Sequence, residues 1–233
     1  MPRFVDAALD KAVTIPSATI HAHVERIRRR NPGADPHQVV RLLEREYLNV
    51  VAATGGAVGA AAAAPSVGTG VATALTVGDV ATFFGTSAAF ALAVASVHGI
   101  DVQDAERRKA LLLATLLGES GARAVGDTAG ISTVRVARNL LTRMPLGTVR
   151  AVNTQLTKRM VKRQVAKQGT LALGRLAPFG IGLLIGVAGG RALGKTVVEG
   201  ARIAFGPAPE TFPPMIEAAP KDPTLPLPPS TPN

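Results

Sequence analysis

Residues 47–78 read YLNVVAATGGAVGAAAAAPSVGTGVATALTVG, Asp79 follows, and residues 80–100 read VATFFGTSAAFALAVASVHGI. No Asp, Glu, Lys or Arg occurs on either side of Asp79 within this stretch. Alanine dominates it, and β-branched residues do not alternate with polar ones, so it is expected to be helical. Pro65, in Ala64-Pro65-Ser66-Val67-Gly68-Thr69-Gly70, divides it into the two arms of a helical hairpin. Each arm, about 18 to 28 residues, is long enough to cross a hydrocarbon core of roughly 30 Å. Closely spaced Gly and Ala let two helix backbones approach one another. Hydrophobicity is moderate, because Ala, Gly, Thr and Ser stand where Leu and Ile would in a typical span. A membrane hairpin is the preferred reading, and a buried hairpin of a soluble bundle is the alternative. Asp79 separates the two. Inside a membrane it needs a partner or a polar interior, whereas in a soluble fold it simply caps a helix after Gly78.

The flanks are also helical in pattern. A helix is expected over residues 17–30, stopped by Asn31-Pro32-Gly33. Asp35-Pro36 then supplies an N-cap and a first helical position. Val39, Val40, Leu43, Tyr47, Val50 and Val51 follow at helical spacing on one face. His98-Gly99-Ile100-Asp101 ends the second arm, with Gly99 just past its end. Asp101 or Asp104 caps a further helix that runs to about residue 119.

Net charge is +10, from 26 Lys+Arg against 16 Asp+Glu. Nine of the basic residues fall in 128–170, which contains no acid. Two amphipathic helices are expected there, over 131–144 and 149–167. Arg135, Arg138 and Arg143 oppose Val134, Leu140, Leu141 and Met144 on the first. Lys158, Arg159, Lys162, Arg163 and Lys167 flank Val152, Leu156, Met160 and Val161 on the second. Such helices suit the surface of an anionic membrane, each cation contributing about 1 kcal/mol. A solvated face of a basic bundle is the plainer alternative. With Arg41, Arg45, Arg107, Arg108 and Lys109 around the hairpin, the positive-inside rule puts both hairpin ends in the cytoplasm. Nucleic acid is not the expected partner, because the basic block contains no aromatic residue and no recognised module.

A second apolar stretch, 176–190, is short for a crossing at about 22 Å. Gly182, Gly186, Gly190 and Gly194 recur every four residues in and beyond it, forming one smooth stripe for helix packing, inside a membrane or against the first hairpin. Residues 189–196, GGRALGKT, match a phosphate-binding P-loop literally. Too little foldable chain follows to deliver a second acidic strand, and the glycine stripe explains the same residues as helix.

Other chemistry is sparse. The absence of cysteine excludes disulfides, thiol catalysis and cysteine-ligated zinc. His21 and His23 face different sides of a helix and make a poor metal pair, and His98 fits a helix C-terminus. No nucleophile elbow or carboxylate pair is present, so no cofactor and no catalytic residue is expected. Residues 1–20 lack an apolar leader core, so the chain is expected to begin in the cytoplasm. Ten prolines follow Gly206, and a disordered Pro-rich tail is expected over 207–233.

In this order along the chain, several motifs resemble the EcsC protein family. They are Gly55-Gly56-Ala57-Val58-Gly59, the Ala64–Thr69 turn, Gly78-Asp79, His98-Gly99-Ile100-Asp101 and Asp104-Ala105-Glu106-Arg107-Arg108. Lys167-Gln168-Gly169, Ala177-Pro178-Phe179-Gly180 and the run to Ala204-Phe205 complete the set. The likeness spans roughly residues 36–206, and Ser66 stands where the family turn often has glycine. It implies a helical, membrane-associated protein and supplies no catalytic residues to carry over, the family being named for a gene beside a secretion-linked transporter. The expected architecture is all-α, a bundle around one or two Gly/Ala-rich hairpins, with a helical segment at 1–35 and an EcsC-like domain at 36–206. The expected partners are anionic membrane lipid and a membrane protein of transport or secretion. A soluble module binding a lipid or protein is the alternative.

Overall fold

The computed structural model describes residues 3–62, 69–129, 136–171 and 181–217. Side chains at 3–5, 61–62, 69–77, 79, 128–129, 136, 161, 163–171, 181–185 and 216–217 are not described. The protein is an all-α bundle. The 1–35 segment holds two helices, α1 (Arg3–Ala12) and α2 (Ser17–Arg30). Helix α1 was not foreseen; it buries Leu9 and Ala12 against α4. Helix α2 buries Ile20, Val24 and Ile27 at i, i+4 and i+7, and its remaining faces are largely polar. It stops where expected, and the Asn31 side chain donates to the Ile27 carbonyl at 2.9 Å. Gly33, at φ 87°, turns the chain. The Asp35 carboxylate then accepts from the Gln38 amide at 2.7 Å and opens α3 (Pro36–Ala62).

Helix α4 (Thr69–Val97) returns beside α3, as the hairpin reading requires. The Tyr47 and Ser87 hydroxyls bond at 2.8 Å between them, and the Tyr47 ring stacks on Phe90 at 4.7 Å. The most extensive partner of α3 is nevertheless α9 (Ile181–Phe205), not α4. The reason is steric. A Cβ on Gly186 would stand 2.1 Å from the Gly55 carbonyl oxygen, and one on Gly190 would stand 2.3 Å from that of Val51. Only hydrogen at these positions lets the two backbones touch.

Asp104 caps α5 (Ala105–Leu117), accepting from the Arg107 amide at 3.0 Å. Gly118, at φ 60°, ends α5, but the chain starts α6 (Glu119–Ala129) at once instead of leaving helix there. Of the expected 131–144 helix, α7 (Val136–Thr142) is described. The expected 149–167 helix is α8 (Leu146–Leu171).

Two expectations need correction. Arg107 and Arg108 do not flank a membrane; both are buried. Arg107 donates to the Leu140 and Met144 carbonyls at 2.6 and 2.7 Å, where α7 ends. Arg108 donates to the Val102 and Val13 carbonyls, the Ile15 carbonyl and the Ser17 hydroxyl, tying the α1–α2 connection to α5. The Pro-rich tail does not leave the bundle at 207. Arg28 lies over the Phe212 ring at 4.0 Å, and Pro213 and Pro214 lie against Gly99. Ile216–Glu217 (β2) then pairs in parallel with Ile100–Asp101 (β1). Residues 218–233 lie outside the described residues.

Candidate membrane-facing surface

Helices α3 and α9 run antiparallel. Gly55 meets Gly186, Val51 meets Gly190, Tyr47 and Leu48 meet Gly194, and Glu44 meets Arg202. Helix α4 descends beside them, from Ser87 near Tyr47 to His98 stacked on Phe205. The C-terminal end of α3 and the N-terminal ends of α4 and α9 therefore gather at one end of the molecule. Residues 47–62, 69–78 and 181–190 carry no charge there. Residues 47–62 extend about 24 Å at 1.5 Å per residue.

Small groups are exposed at this end: Ala53, Ala57, Ala60, Gly78, Ala188 and Gly189. Val50 and Leu193, which are 39% and 51% exposed, stand at its foot. The upper part of α3 is built almost wholly of Ala and Gly, and it lies against α9 through the glycine contacts. Of the predicted stripe, Gly186, Gly190 and Gly194 all face α3, and Gly182 lies in α9 with its surroundings undescribed. Asp79 is the exception at this end: it lies inside α4, not at its cap, eight residues or about 12 Å above Ser87, and its side chain is outside the described residues.

Val80–Val97 is long and apolar enough to cross a membrane, but 56% of that window is buried within the chain itself. From Phe84 onward α4 is mostly buried, packing against α1, α2, α3 and α5. The outer faces of α1 and α2 expose Asp10, Lys11, Arg26, Arg29 and Arg30.

The predicted cations do not form one surface. Arg138 and Arg143 are exposed on and just after α7, and the charge of Arg138 acts on His98 at the foot of α4. That helix has 29 residues, so its foot lies about 43 Å from its upper end. Lys158 and Lys162 are exposed on α8. Helix α8 climbs beside α5, from Asn153 at Glu106 to Arg159 at Ser120, while Gly118 faces Thr196 of α9. Lys158 and Lys162 thus stand toward the charge-free end. Arg159 is half-buried, 3.6 Å from Asp127. Arg135 lies outside the described residues, as does the side chain of Arg163.

Arg150 was missed, although Arg150, Thr154, Lys158 and Lys162 recur every four residues and are all exposed. Also missed were Arg191 and Lys195, exposed on α9 below the charge-free end.

The P-loop match lies wholly within α9. Its amides belong to a helical ladder, Lys195 points to solvent, and the Thr196 hydroxyl donates to the Ala192 carbonyl at 3.3 Å. A phosphate cradle needs free amides, which a helix interior does not offer. His21 sits 3.2 Å from Asp101 and His23 sits 3.5 Å from Glu46. Among the described residues no three His, Cys, Asp or Glu gather to hold a metal. His98 does end α4 beside Gly99. Burial, with Arg138 nearby, pushes its ring down to about 4, so it is neutral.

Comparison with family models, curated proteins and solved structures finds no match to this chain.

Proposed function

We propose that this is a non-enzymatic, membrane-associated protein that engages anionic lipid through its charge-free end. The observation that carries the reading is the meeting at one pole of three helix ends whose one charged residue is Asp79, above the cations Lys158, Lys162, Arg191 and Lys195. A wedge of this kind enters the acyl boundary while the cations below it meet headgroups. The base stays outside, because immersing α4 fully would carry the exposed charges of α1 and α2 into hydrocarbon. Partial insertion therefore fits better than a crossing. The EcsC-like motif order adds a partner in transport or secretion to this proposal.

Flotation of the full chain with vesicles tests it, comparing 30% phosphatidylglycerol in phosphatidylcholine with phosphatidylcholine alone. The wild type is expected to float with the anionic vesicles and to survive an alkaline carbonate wash. Ala57→Glu, at an exposed position, places a charge in the wedge at a cost of about 2.5–3.5 kcal/mol, roughly a hundredfold in binding. Equal flotation of Ala57→Glu, or a wild type that stays in solution, overturns the reading. A second reading, a soluble module binding a lipid or protein, draws on a cavity of about 480 Å³ at the opposite pole.

A further inference from the structure

That cavity lies between α3, α4 and α9, with residues 206–208 forming part of its wall. Its volume of about 480 Å³ falls in the range of small-molecule sites. Val40, Phe90, Val94 and Phe205 supply an apolar lining. Its charges do not cancel. Glu44 is buried, and Arg202 occupies both of its carboxylate oxygens, at 2.8 and 2.6 Å. That pair is neutral and closed. Arg41 touches the His37 ring, and among the described residues no carboxylate lies within 4 Å of it. One positive charge is therefore left at the mouth.

At the foot of α4 the lining includes His98, stacked on Phe205 at 5.0 Å. Among the described residues its ring nitrogens have no hydrogen-bond partner. A neutral imidazole offers one N–H and one lone pair to an occupant. Gly206, at φ 74°, then turns the chain toward the Phe212 and Pro213 contacts, so a strap from the C-terminal segment closes one side.

We propose that this cavity binds a monoanionic amphiphile, a carboxylate with a medium-length alkyl body. Its head sits on Arg41 and His98, and its chain lies along Phe90, Val94 and Phe205. An uncompensated guanidinium and a hydrogen-bonding ring lining one cavity favour an anionic head, and the apolar walls favour an alkyl chain. The site stands apart from the charge-free pole, so it holds whether or not that pole enters a bilayer.

Isothermal titration of the purified full chain with decanoate, below its micelle-forming concentration and without vesicles, tests the proposal. Decanol supplies the chain without the charge, and acetate supplies the charge without the chain. Decanoate is expected to bind in a single saturable event and to shift the His98 ring resonances. Decanol and acetate should bind about tenfold more weakly or worse. Arg41→Gln, at an exposed position, should weaken decanoate about tenfold. Val40→Phe, from a half-buried position, should fill the cavity and abolish binding. If Val40→Phe does not fold, Arg41→Gln decides alone. No saturable decanoate binding, an unchanged affinity in Arg41→Gln, or decanol binding as tightly as decanoate overturns the proposal.

Discussion

Alanine at position 189 and alanine at position 190 should shift stability in opposite directions, although the two residues are neighbours on one helix. Gly189 is exposed, and a Cβ added there meets nothing within 4 Å. Gly189→Ala should therefore stabilise the protein by the helix-propensity difference alone, about 0.8–1 kcal/mol. At Gly190 an added Cβ would lie 2.3 Å from the Val51 carbonyl oxygen and 3.2 Å from its carbon. Both atoms belong to the α3 backbone and cannot rotate away. To restore contact the helices must part by about 1 Å along a seam that Gly55 and Gly186 hold equally close. Overpacking of this kind costs about 1–3 kcal/mol, here toward the upper end. After the propensity gain, a net loss of about 1–2 kcal/mol remains. For a chain of this size each kcal/mol moves the melting temperature by about 2–4 °C. The two variants should then melt about 4–12 °C apart, on either side of the wild type. Thermal unfolding followed by far-ultraviolet circular dichroism in one buffer measures this. If Gly190→Ala melts at or above the wild type, α3 and α9 do not approach this closely, and the glycine spacing has no packing role.

Three further outcomes follow from buried polar groups. Arg108→Met leaves the Val102, Val13 and Ile15 carbonyls without their donor, so the urea midpoint should fall by an amount equivalent to about 3 kcal/mol or more. An unchanged midpoint refutes the buried tie. The His98 ring is pushed from 6.5 to about 4, so the unfolded chain takes the proton first. Its contribution is complete above about pH 6.5 and is lost as pH falls toward 4, about 3 kcal/mol in all. His98→Phe keeps an aromatic ring on Phe205 and should remove that part of the acid sensitivity in urea titrations; identical pH profiles would contradict it. Tyr47 is the only tyrosine, and burial raises its hydroxyl to about 12 although the Ser87 bond opposes the shift. Ultraviolet titration should show little phenolate at pH 10.5, and ionisation near pH 10 would place the ring in water.

Local signals in the sequence were faithful where a single residue type dictates the backbone. Asn31-Pro32-Gly33 stops α2 where its pattern requires, Asp35 caps α3, and Gly99 ends α4 at φ 73°. The four-residue glycine spacing identified a packing seam, because only absent side chains permit it. It pointed to the first hairpin as one candidate partner, but not to which arm would receive it. Pairing α3 with its sequence neighbour is the natural expectation for a hairpin, yet α9 carries the complementary glycines. Gly118 was legible as a stop but not as a corner between two helices, because Glu119 resumes helix without any linker. Arg107 and Arg108 misled because a cationic side chain normally marks surface, and the carbonyls that satisfy them come from distant positions. Prolines after Gly206 disfavour regular structure, but they pack well against a glycine, as Pro213 does on Gly99. On the candidate surface, composition revealed the charge-free segments, while only the tertiary arrangement separates Arg138 from Lys158.

The α3–α9 seam also imposes an order on biosynthesis. Glu44 leaves the ribosome 158 residues before Arg202, its ion-pair partner. At about 5–20 residues per second the interval is roughly 8–30 s. Throughout it the glycine face of α3 is made but uncovered, and α4 is the neighbour at hand. A nascent chain in that state presents an apolar, small-residue surface that bilayers, chaperones and other nascent copies can all reach. Slowing translation between residues 100 and 180 would lengthen this exposure without altering one atom of the finished protein.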